Sequence, residues 1–140
     1  MSIEENKEIT LRYFSGGANE YKQSKESEGK DVHTPEFVFH SLAGDMNLKE
    51  YLGLMDVNLT AFPDFKYSTE DIIAEGDKVV CRYTFTGTHQ GDYMGVPASG
   101  KKVKNEGIGI IRISDGRIVE AWFAGDMLTM MQQIGAIPQQ

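Results

Sequence analysis

The sequence predicts an α+β fold in which helical segments come first and a long antiparallel sheet follows. Apolar residues recur at helical spacing over residues 9–14 and 48–62, whereas from Asp64 onward they alternate in strand-like segments separated by glycine-containing turns. Helices grouped ahead of a meander of strands are typical of α+β domains. We therefore expect a curved, mostly antiparallel sheet with the N-terminal helices packed on its concave face and a pocket between them.

The helices are marked by their first residues. Each begins with an N-cap residue followed three positions later by a glutamate, Ser2 with Glu5 and Asn47 with Glu50. The run 15–17 (SGG) ends or interrupts the first helix, and Pro63 ends the other. Residues 18–34 are too polar to belong to the core, so they form either an exposed helix or a mobile loop.

The strands are marked by alternation and by turns. Residues 37–40 form a short strand, and Gly44-Asp45 then turns the chain. The sheet continues over residues 65–74, 79–89, 103–113 and 117–125. Asp115-Gly116 predicts a tight hairpin between the last two strands, and a short closing helix begins at Asp126.

Length and composition exclude several classes of protein. At 140 residues the chain is expected to be one domain, residues 1–140, large enough to fold without a metal or a disulfide. Cys81 is the only cysteine and lies among apolar residues, so we expect it to be buried. The net charge of −7 argues against a nucleic-acid surface. Neither a secretory signal nor a membrane-spanning run is apparent, which predicts a cytoplasmic protein without a membrane partner.

Seven short runs occur in a characteristic order along the chain: residues 61–64 (AFPD), 74–80 (AEGDKVV), 87–89 (GTH), 95–97 (GVP), 100–101 (GK), 115–122 (DGRIVEAW) and 126–128 (DML). Together they resemble the SnoaL-like polyketide cyclase family of the nuclear transport factor 2-like superfamily. The resemblance implies a cone-shaped α+β barrel that often dimerises. The superfamily also contains ketosteroid isomerases, epoxide hydrolases, dehydratases and non-catalytic binding modules, so the fold alone does not decide the function.

Two features depart from the family pattern. The segment 20–35 is more polar than the second helix that such proteins usually carry. Ala121 and Phe123 flank Trp122, where the family often has a histidine or another polar residue. Some of the polar residues that the family usually has near this tryptophan are therefore missing.

Asp126 is the first candidate catalytic residue. In the cyclases that the chain resembles, the matching aspartate is a general acid/base that removes an acidic C–H proton and starts an intramolecular aldol closure. A carboxylate in an apolar cavity has a raised pKa and is a better base near neutral pH. Asp126 is also a suitable N-cap with Thr129 at the third helical position, which would keep it anionic. The sequence leaves both roles open.

His40 and His89 are the other catalytic candidates. His40 ends the strand 37–40, where the superfamily delivers polar residues into its pocket, and it could serve as a base or as a donor to an oxyanion. His89 is in phase with the predicted core face of its strand. Each histidine could instead be bonded to nearby backbone.

We expect an apolar pocket whose substrate-binding residues include one acidic side chain: Tyr51, Met55, Phe85, Met94, Trp122 and Glu120. Glu120 and Trp122 share strand parity with Asp126, so all three would face inward together. Glu120 could alternatively pair with Arg82 or Arg112. The spacing of the three histidines fits no metal motif, and no nucleotide-binding glycine motif is present, so we expect neither a metal nor a cofactor.

The leading hypothesis is a cofactor-independent enzyme similar to the polyketide cyclases, acting on a small apolar or aromatic molecule by acid/base chemistry. The alternatives are a non-catalytic ligand-binding or dimerisation module, or an isomerase, dehydratase or epoxide hydrolase. A homodimer is expected from the superfamily and from apolar residues on the outer sheet face such as Ile111 and Ile113.

Overall fold

The computed structural model of the protein describes residues 2–18, 27, 29–41 and 43–138. Its elements in chain order are α1 (Ile3–Tyr13), β1 (His33–Ser41), β2 (Gly44–Asn47), α2 (Leu48–Ala61), β3 (Lys66–Glu75), β4 (Lys78–Thr88), β5 (Lys102–Ser114), β6 (Arg117–Gly125) and α3 (Met127–Gln133). The strands form one sheet in the order β2-β1-β6-β5-β4-β3. Strands β1 and β6 pair in parallel, and the other described pairs are antiparallel. The predicted α+β class is confirmed.

Both predicted capping boxes are present. At α1, the Glu5 N–H donates to the Ser2 hydroxyl over 3.1 Å, and the Ser2 N–H donates to the Glu5 carboxylate over 3.3 Å. At α2, the corresponding distances between Asn47 and Glu50 are 2.9 Å and 3.1 Å. Two N–H groups that the first turn would leave unpaired are thus satisfied at each helix.

The two predicted turns had different outcomes. At Asp115-Gly116 both residues have positive φ, 50° and 82°, as a tight hairpin turn of two residues requires. The turn predicted at Gly44-Asp45 is wrong, because both residues belong to β2 and pair with Ser41 and His40 of β1. Strands β1 and β2 are paired up to Ser41 and Gly44, so their connection comes before Gly44 and not at Gly44-Asp45.

The main core lies between the helices and one face of the sheet, which we call the inner face. It contains buried residues of β1, α2, β4 and β5, including Phe37, Tyr51 and Cys81. The predicted burial of Cys81 is therefore confirmed. Ile111 and Ile113, expected on the outer face, are 0% and 4% exposed, so that expectation is wrong. The alternation along β5 is shifted by one residue from the one expected, and Ile108 and Ile110 are the isoleucines that face outward.

Two glycines of β5 allow aromatic rings to lie directly on the sheet. A Cβ atom built on Gly109 would lie 2.7 Å from a ring carbon of Phe123 and 3.0 Å from one of Phe14. A Cβ on Gly107 would lie 2.5 Å from the Tyr83 hydroxyl oxygen. The inner face is therefore filled at this point by aromatic side chains that only a glycine can accommodate.

Most of the polar segment 18–34 lies outside the described residues, so its two predicted forms stay predictions. The segment was expected to be exposed throughout, and this is wrong for the residues at its two ends. Ala18, His33 and Thr34 are buried, and β1 begins at His33, four residues before the predicted strand. The parallel pairing of His33 with Ile118 of β6 extends β1 in this direction.

Candidate functional site

A cavity of about 140 Å³ lies between α1, α2 and the inner face of the sheet. Helix α1 contributes Tyr13 at its end, and α2 contributes the successive turns that carry Tyr51 and Met55. Strands β3 and β6 contribute Tyr67 and Phe123. The walls are mainly aromatic and aliphatic, as expected of a small-molecule site.

Of the predicted substrate-binding residues, Tyr51 and Met55 line this cavity. Phe85 is buried in a second apolar cluster and does not line the cavity itself, but its ring packs behind those of Phe65 and Tyr67, which do. Met94 is 68% exposed in the loop between β4 and β5. The helical stripe of α2 thus identified its inward face correctly, whereas the loop residue could not be placed from the sequence.

Trp122 and Glu120 lie on the outer face, so the expectation that they face the pocket is wrong. Trp122 stacks on the imidazole of His40, with ring centres 4.8 Å apart and planes at 14°. In β6, Ala121 and Phe123 take the inward positions, because the glycines of β5 leave room there for the Phe123 ring. Strand alternation then directs Glu120 and Trp122 outward.

His40 belongs to an ion-pair cluster on this outer face. Its Nε2 lies 2.8 Å from a Glu120 oxygen and its Nδ1 lies 2.9 Å from an Asp45 oxygen. The hydrogen bond to Glu120 raises the pKa of His40, and the bonds from His40 and Arg112 lower the pKa of Glu120. Arg112 donates to Glu120 over 2.6 Å, which confirms the predicted pairing. The cluster favours a protonated His40, and it does not line the cavity.

Asp126 is exposed at the N-terminus of α3 and does not line the cavity, so its expected inward orientation is not observed. Its carboxylate accepts hydrogen bonds from the N–H of Thr129 at 3.0 Å and from the Thr129 hydroxyl at 2.6 Å. These two bonds lower the pKa of Asp126. Strand alternation ends at Gly125, because the Asp126 N–H bonds to the Glu106 carbonyl and the chain then enters α3. Its role as an acid/base stays a prediction.

His89 is fully buried beside the ring of Phe62, and it too lies away from the cavity. The Ser99 N–H donates to His89 Nδ1 over 3.2 Å, so this nitrogen carries no proton in the neutral ring. The backbone of His89 also bonds to Gly100 and Lys101. The side chain therefore closes the loop between β4 and β5, which is the structural alternative that the sequence left open.

The polar groups that do line the cavity were not among the predicted site residues, apart from Tyr51. The Tyr13 hydroxyl lies 2.5 Å from the Tyr51 hydroxyl and 3.2 Å from His33 Nε2. His33 Nδ1 lies 3.1 Å from the Gly29 carbonyl oxygen. Burial lowers the pKa of His33 to about 4, so its ring is neutral at pH 7. We call Tyr51, Tyr13 and His33 the cavity relay.

No spacing rule connects the three members of the cavity relay. Tyr13 belongs to the apolar stripe of α1, which predicts a core residue. His33 lies in a segment whose polar composition does not suggest burial. Only the packing of α1, β1 and α2 brings them together. Among the described residues, no group of three or more His, Cys, Asp or Glu side chains is arranged to hold a metal ion, and no helix is long and apolar enough to cross a membrane.

Comparison with known proteins agrees with this architecture. A family model for SnoaL-like polyketide cyclases matches residues 18–134. AclR from Streptomyces galilaeus, a proposed hydroxylase, has a crystal structure that superposes with a TM-score of 0.86 at 29% identity, covering 99% of this chain and 86% of that one. A comparison with curated proteins finds no match.

Two proposed polyketide cyclases are also similar. The crystal structure of a SnoaL-like protein from Jannaschia sp. CCS1 has 27% identity and a TM-score of 0.79, covering 99% of this chain and 97% of that one. IdmH from Streptomyces antibioticus has 28% identity and a TM-score of 0.71, covering 82% and 90%. Because the family model spans most of the chain and the fold agrees, the protein belongs to the SnoaL-like polyketide cyclase family, with a nuclear transport factor 2-like fold.

Proposed function

We propose that the protein is a cofactor-independent enzyme of the polyketide cyclase type, which closes a ring by acid/base chemistry on a small apolar or aromatic substrate. The observation that supports this is the cavity: its walls are mainly aromatic and aliphatic, and three of its polar side chains, Tyr13, Tyr51 and His33, form one bonded cluster. Such a site binds an apolar molecule by burial and orients it by a few polar contacts.

The reaction needs a base that removes a proton from a C–H group beside a carbonyl. The resulting enolate attacks a second carbonyl of the same molecule, and the new alkoxide takes up a proton. Asp126 is the base that the family resemblance favours, although it lies outside the cavity walls. Of the two histidines expected to assist, His40 lies on the outer face of the sheet and His89 is fully buried, so neither lines the cavity. The lowered pKa of Asp126 keeps it ionised at neutral pH but also makes it a weaker base. The catalytic step would therefore require a substrate that extends from the cavity to the Asp126 carboxylate, where proximity would matter more than basicity.

Replacement of Asp126 tests this proposal. The assay is hydrogen–deuterium exchange at the C–H group between the carbonyls of a one-ring aromatic β-keto ester, followed by NMR against the buffer rate. We expect Asp126→Asn to lose the protein-dependent exchange while toluene binding in the cavity is retained. Exchange at the wild-type rate in this variant would exclude Asp126 as the base.

Asp64 provides a matched control for this experiment. Like Asp126, it is an exposed carboxylate that accepts from both the N–H and the hydroxyl of one threonine, here Thr88 at 2.7 Å for each bond. Burial raises the pKa of Asp64, but the hydrogen bonds from Thr88 together outweigh it, so the pKa is lowered. Asp64→Asn should leave exchange unchanged. Equal losses in the two variants would point to a shared effect on stability instead of catalysis.

The alternative is a non-catalytic module that binds a small ligand. Two observations favour it: Asp126 is an exposed helix cap, and none of the described residues that line the cavity is a carboxylate. This alternative predicts that the wild-type protein exchanges the probe no faster than buffer and that Asp126→Ala leaves toluene binding intact. An isomerase, dehydratase or epoxide hydrolase would instead be distinguished by the bond changed in the product.

We also propose that the protein is a homodimer joined through its outer sheet face. Four apolar residues are direct cross-strand neighbours there: Ile73, Val80, Ile110 and Trp122. Ile73 is 65% exposed, which is unusual for a large apolar side chain on a sheet.

Light scattering should give a dimer mass for the wild type and for Leu128→Lys, whose exposed leucine lies on α3. It should give a monomer mass for Ile110→Lys, and a monomeric wild type would contradict the proposal.

A further inference from the structure

The donor and the acceptor of each hydrogen bond in the cavity relay can be assigned, and the protons all point from Tyr51 through Tyr13 and His33 towards Gly29. A carbonyl oxygen can only accept, so the 3.1 Å contact with Gly29 places the imidazole proton of neutral His33 on Nδ1. Nε2 is then an acceptor, and the hydroxyl that lies 3.2 Å from it, that of Tyr13, donates to it. Because the Tyr13 proton is used in this way, the Tyr51 hydroxyl is the donor in the bond between the two tyrosines.

The direction of the relay decides what Tyr51 can offer to a ligand. Its proton is committed to Tyr13, so its oxygen remains as an acceptor. A hydroxyl oxygen can accept two hydrogen bonds, so one more can come from a ligand even where another partner already uses one position. The relay therefore presents an acceptor to the cavity, although a tyrosine is more often regarded as a donor.

Burial keeps the relay in this state. His33 is 2% exposed and Tyr51 is 3% exposed, and the rings of Phe37 and Phe39 pack against them. A charged imidazole is disfavoured in such surroundings, in agreement with the lowered pKa of His33. Reversal of the relay would require a proton on Nε2, so the acceptor form predominates at pH 7.

We propose that the cavity binds a one-ring phenol or cyclic enol whose hydroxyl group donates a hydrogen bond to the oxygen of Tyr51. This inference rests on the proposed function and narrows its substrate class. The volume is suitable, because a buried apolar cavity of about 150 Å³ admits benzene, and the cavity here measures about 140 Å³. An enol is also the form in which a β-dicarbonyl compound presents a hydroxyl donor.

Three ligands of similar size distinguish the contribution of the hydroxyl group to binding from that of the aromatic ring. Phenol donates a hydrogen bond, anisole has an oxygen that only accepts, and toluene has no polar group. Dissociation constants at pH 7 are measured by ligand-observed NMR titration, with phenol neutral at this pH. We expect the wild type to bind phenol about 3- to 10-fold more tightly than anisole, the effect of one net hydrogen bond.

Two tyrosines of the same cavity supply the test and its control. Tyr51→Phe removes the acceptor and should abolish the preference for phenol while toluene binding changes less than about twofold, within the scatter of a neutral substitution. Tyr67→Phe removes a hydroxyl of the same cavity that is outside the relay, and it should keep the preference. Tyr13→Phe removes the hydroxyl that accepts the Tyr51 proton, so anisole should gain affinity relative to phenol, and an unchanged ratio would contradict the direction of the relay. This variant decides the question even where Tyr51→Phe does not fold.

The outcomes distinguish this inference from the proposed function. If toluene binds but the phenol-to-anisole ratio is the same in the wild type and in Tyr51→Phe, the relay has no role and the cavity remains a small-molecule site. A preference that disappears only in Tyr67→Phe would also overturn the inference. If none of the three ligands binds the wild type, both the inference and the proposed cavity site fail.

Discussion

Substitution of Gly109 by alanine tests the packing that forms one wall of the cavity. The added Cβ would lie 2.7 Å and 2.8 Å from two ring carbons of Phe123 and 3.0 Å from one of Phe14. Carbon atoms prefer separations of about 3.5–4.0 Å, so the rings must retreat by roughly 0.5–1 Å. The two rings pack against each other at 5.5 Å, and Phe14 is stacked on Tyr83. Neither ring can therefore move alone.

The expected cost follows from two opposing effects. Overpacking of a well-filled core costs about 1–3 kcal/mol. Alanine also restricts the unfolded chain, which stabilises the protein by about 0.4–1 kcal/mol where the backbone conformation suits it. The φ of Gly109 is outside the left-handed region, so this gain applies. We expect Gly109→Ala to lower the free energy of unfolding by about 1–2 kcal/mol, the difference between the two effects.

Urea denaturation measures this change, and Gly53 supplies the control. A Cβ on Gly53 would meet nothing within 4 Å, and the residue lies inside α2. Gly53→Ala should therefore stabilise the protein by about 0.5–1 kcal/mol. The midpoint should fall for one variant and rise for the other at a constant slope. If Gly109→Ala is as stable as the wild type, the rings of Phe123 and Phe14 are not packed as closely against Gly109 as the structure indicates.

The remaining predictions concern two histidines with opposite pKa shifts. For His33, burial lowers the pKa from 6.5 to about 4 in the folded state, so its contribution to stability is present above pH 6.5 and is lost as the pH falls towards 4. Urea unfolding at several pH values should show a steeper acid loss for the wild type than for His33→Gln, and parallel curves would contradict the burial argument. For His40, the bond to Glu120 raises the pKa above 6.5, so its contribution is present below pH 6.5 and is lost as the pH rises through the raised value. NMR titration should show the pKa of His40 falling in Glu120→Gln, and an unchanged value would assign the shift to other groups.

Much of the fold could be predicted because it depends on residues close together in the chain. The N-cap and the glutamate of each capping box are three residues apart, and their bonds form as soon as the first helical turn does. The Asp115-Gly116 turn depends on the positive φ of two adjacent residues. Strand β6 was predicted with its observed bounds, Arg117–Gly125, because a turn precedes it and an N-cap follows it.

The orientation of side chains in β6 could not be predicted in the same way. Alternation along a strand gives two sets of residues but does not say which set faces the core. Trp122 is the larger apolar residue and was expected inside, yet Phe123 takes that place because Gly109 on the neighbouring strand leaves space for its ring. Trp122 instead finds His40 beside it on the outer face. The deciding residues lie on other strands.

The sequence by itself determined the α+β class, the helix starts, the hairpin turn and the family, since these depend on local bonding and on the order of short motifs. Tertiary structure alone decided which polar groups meet in the cavity. Tyr13 is 20 residues from His33 and 38 residues from Tyr51 along the chain, and their bonds exist only after α1, β1 and α2 have packed together. Asp126, by contrast, has its partner three residues away, and that local bond turns its side chain towards solvent. Contacts between distant segments depend on the shape of the whole core, which no short stretch of sequence specifies.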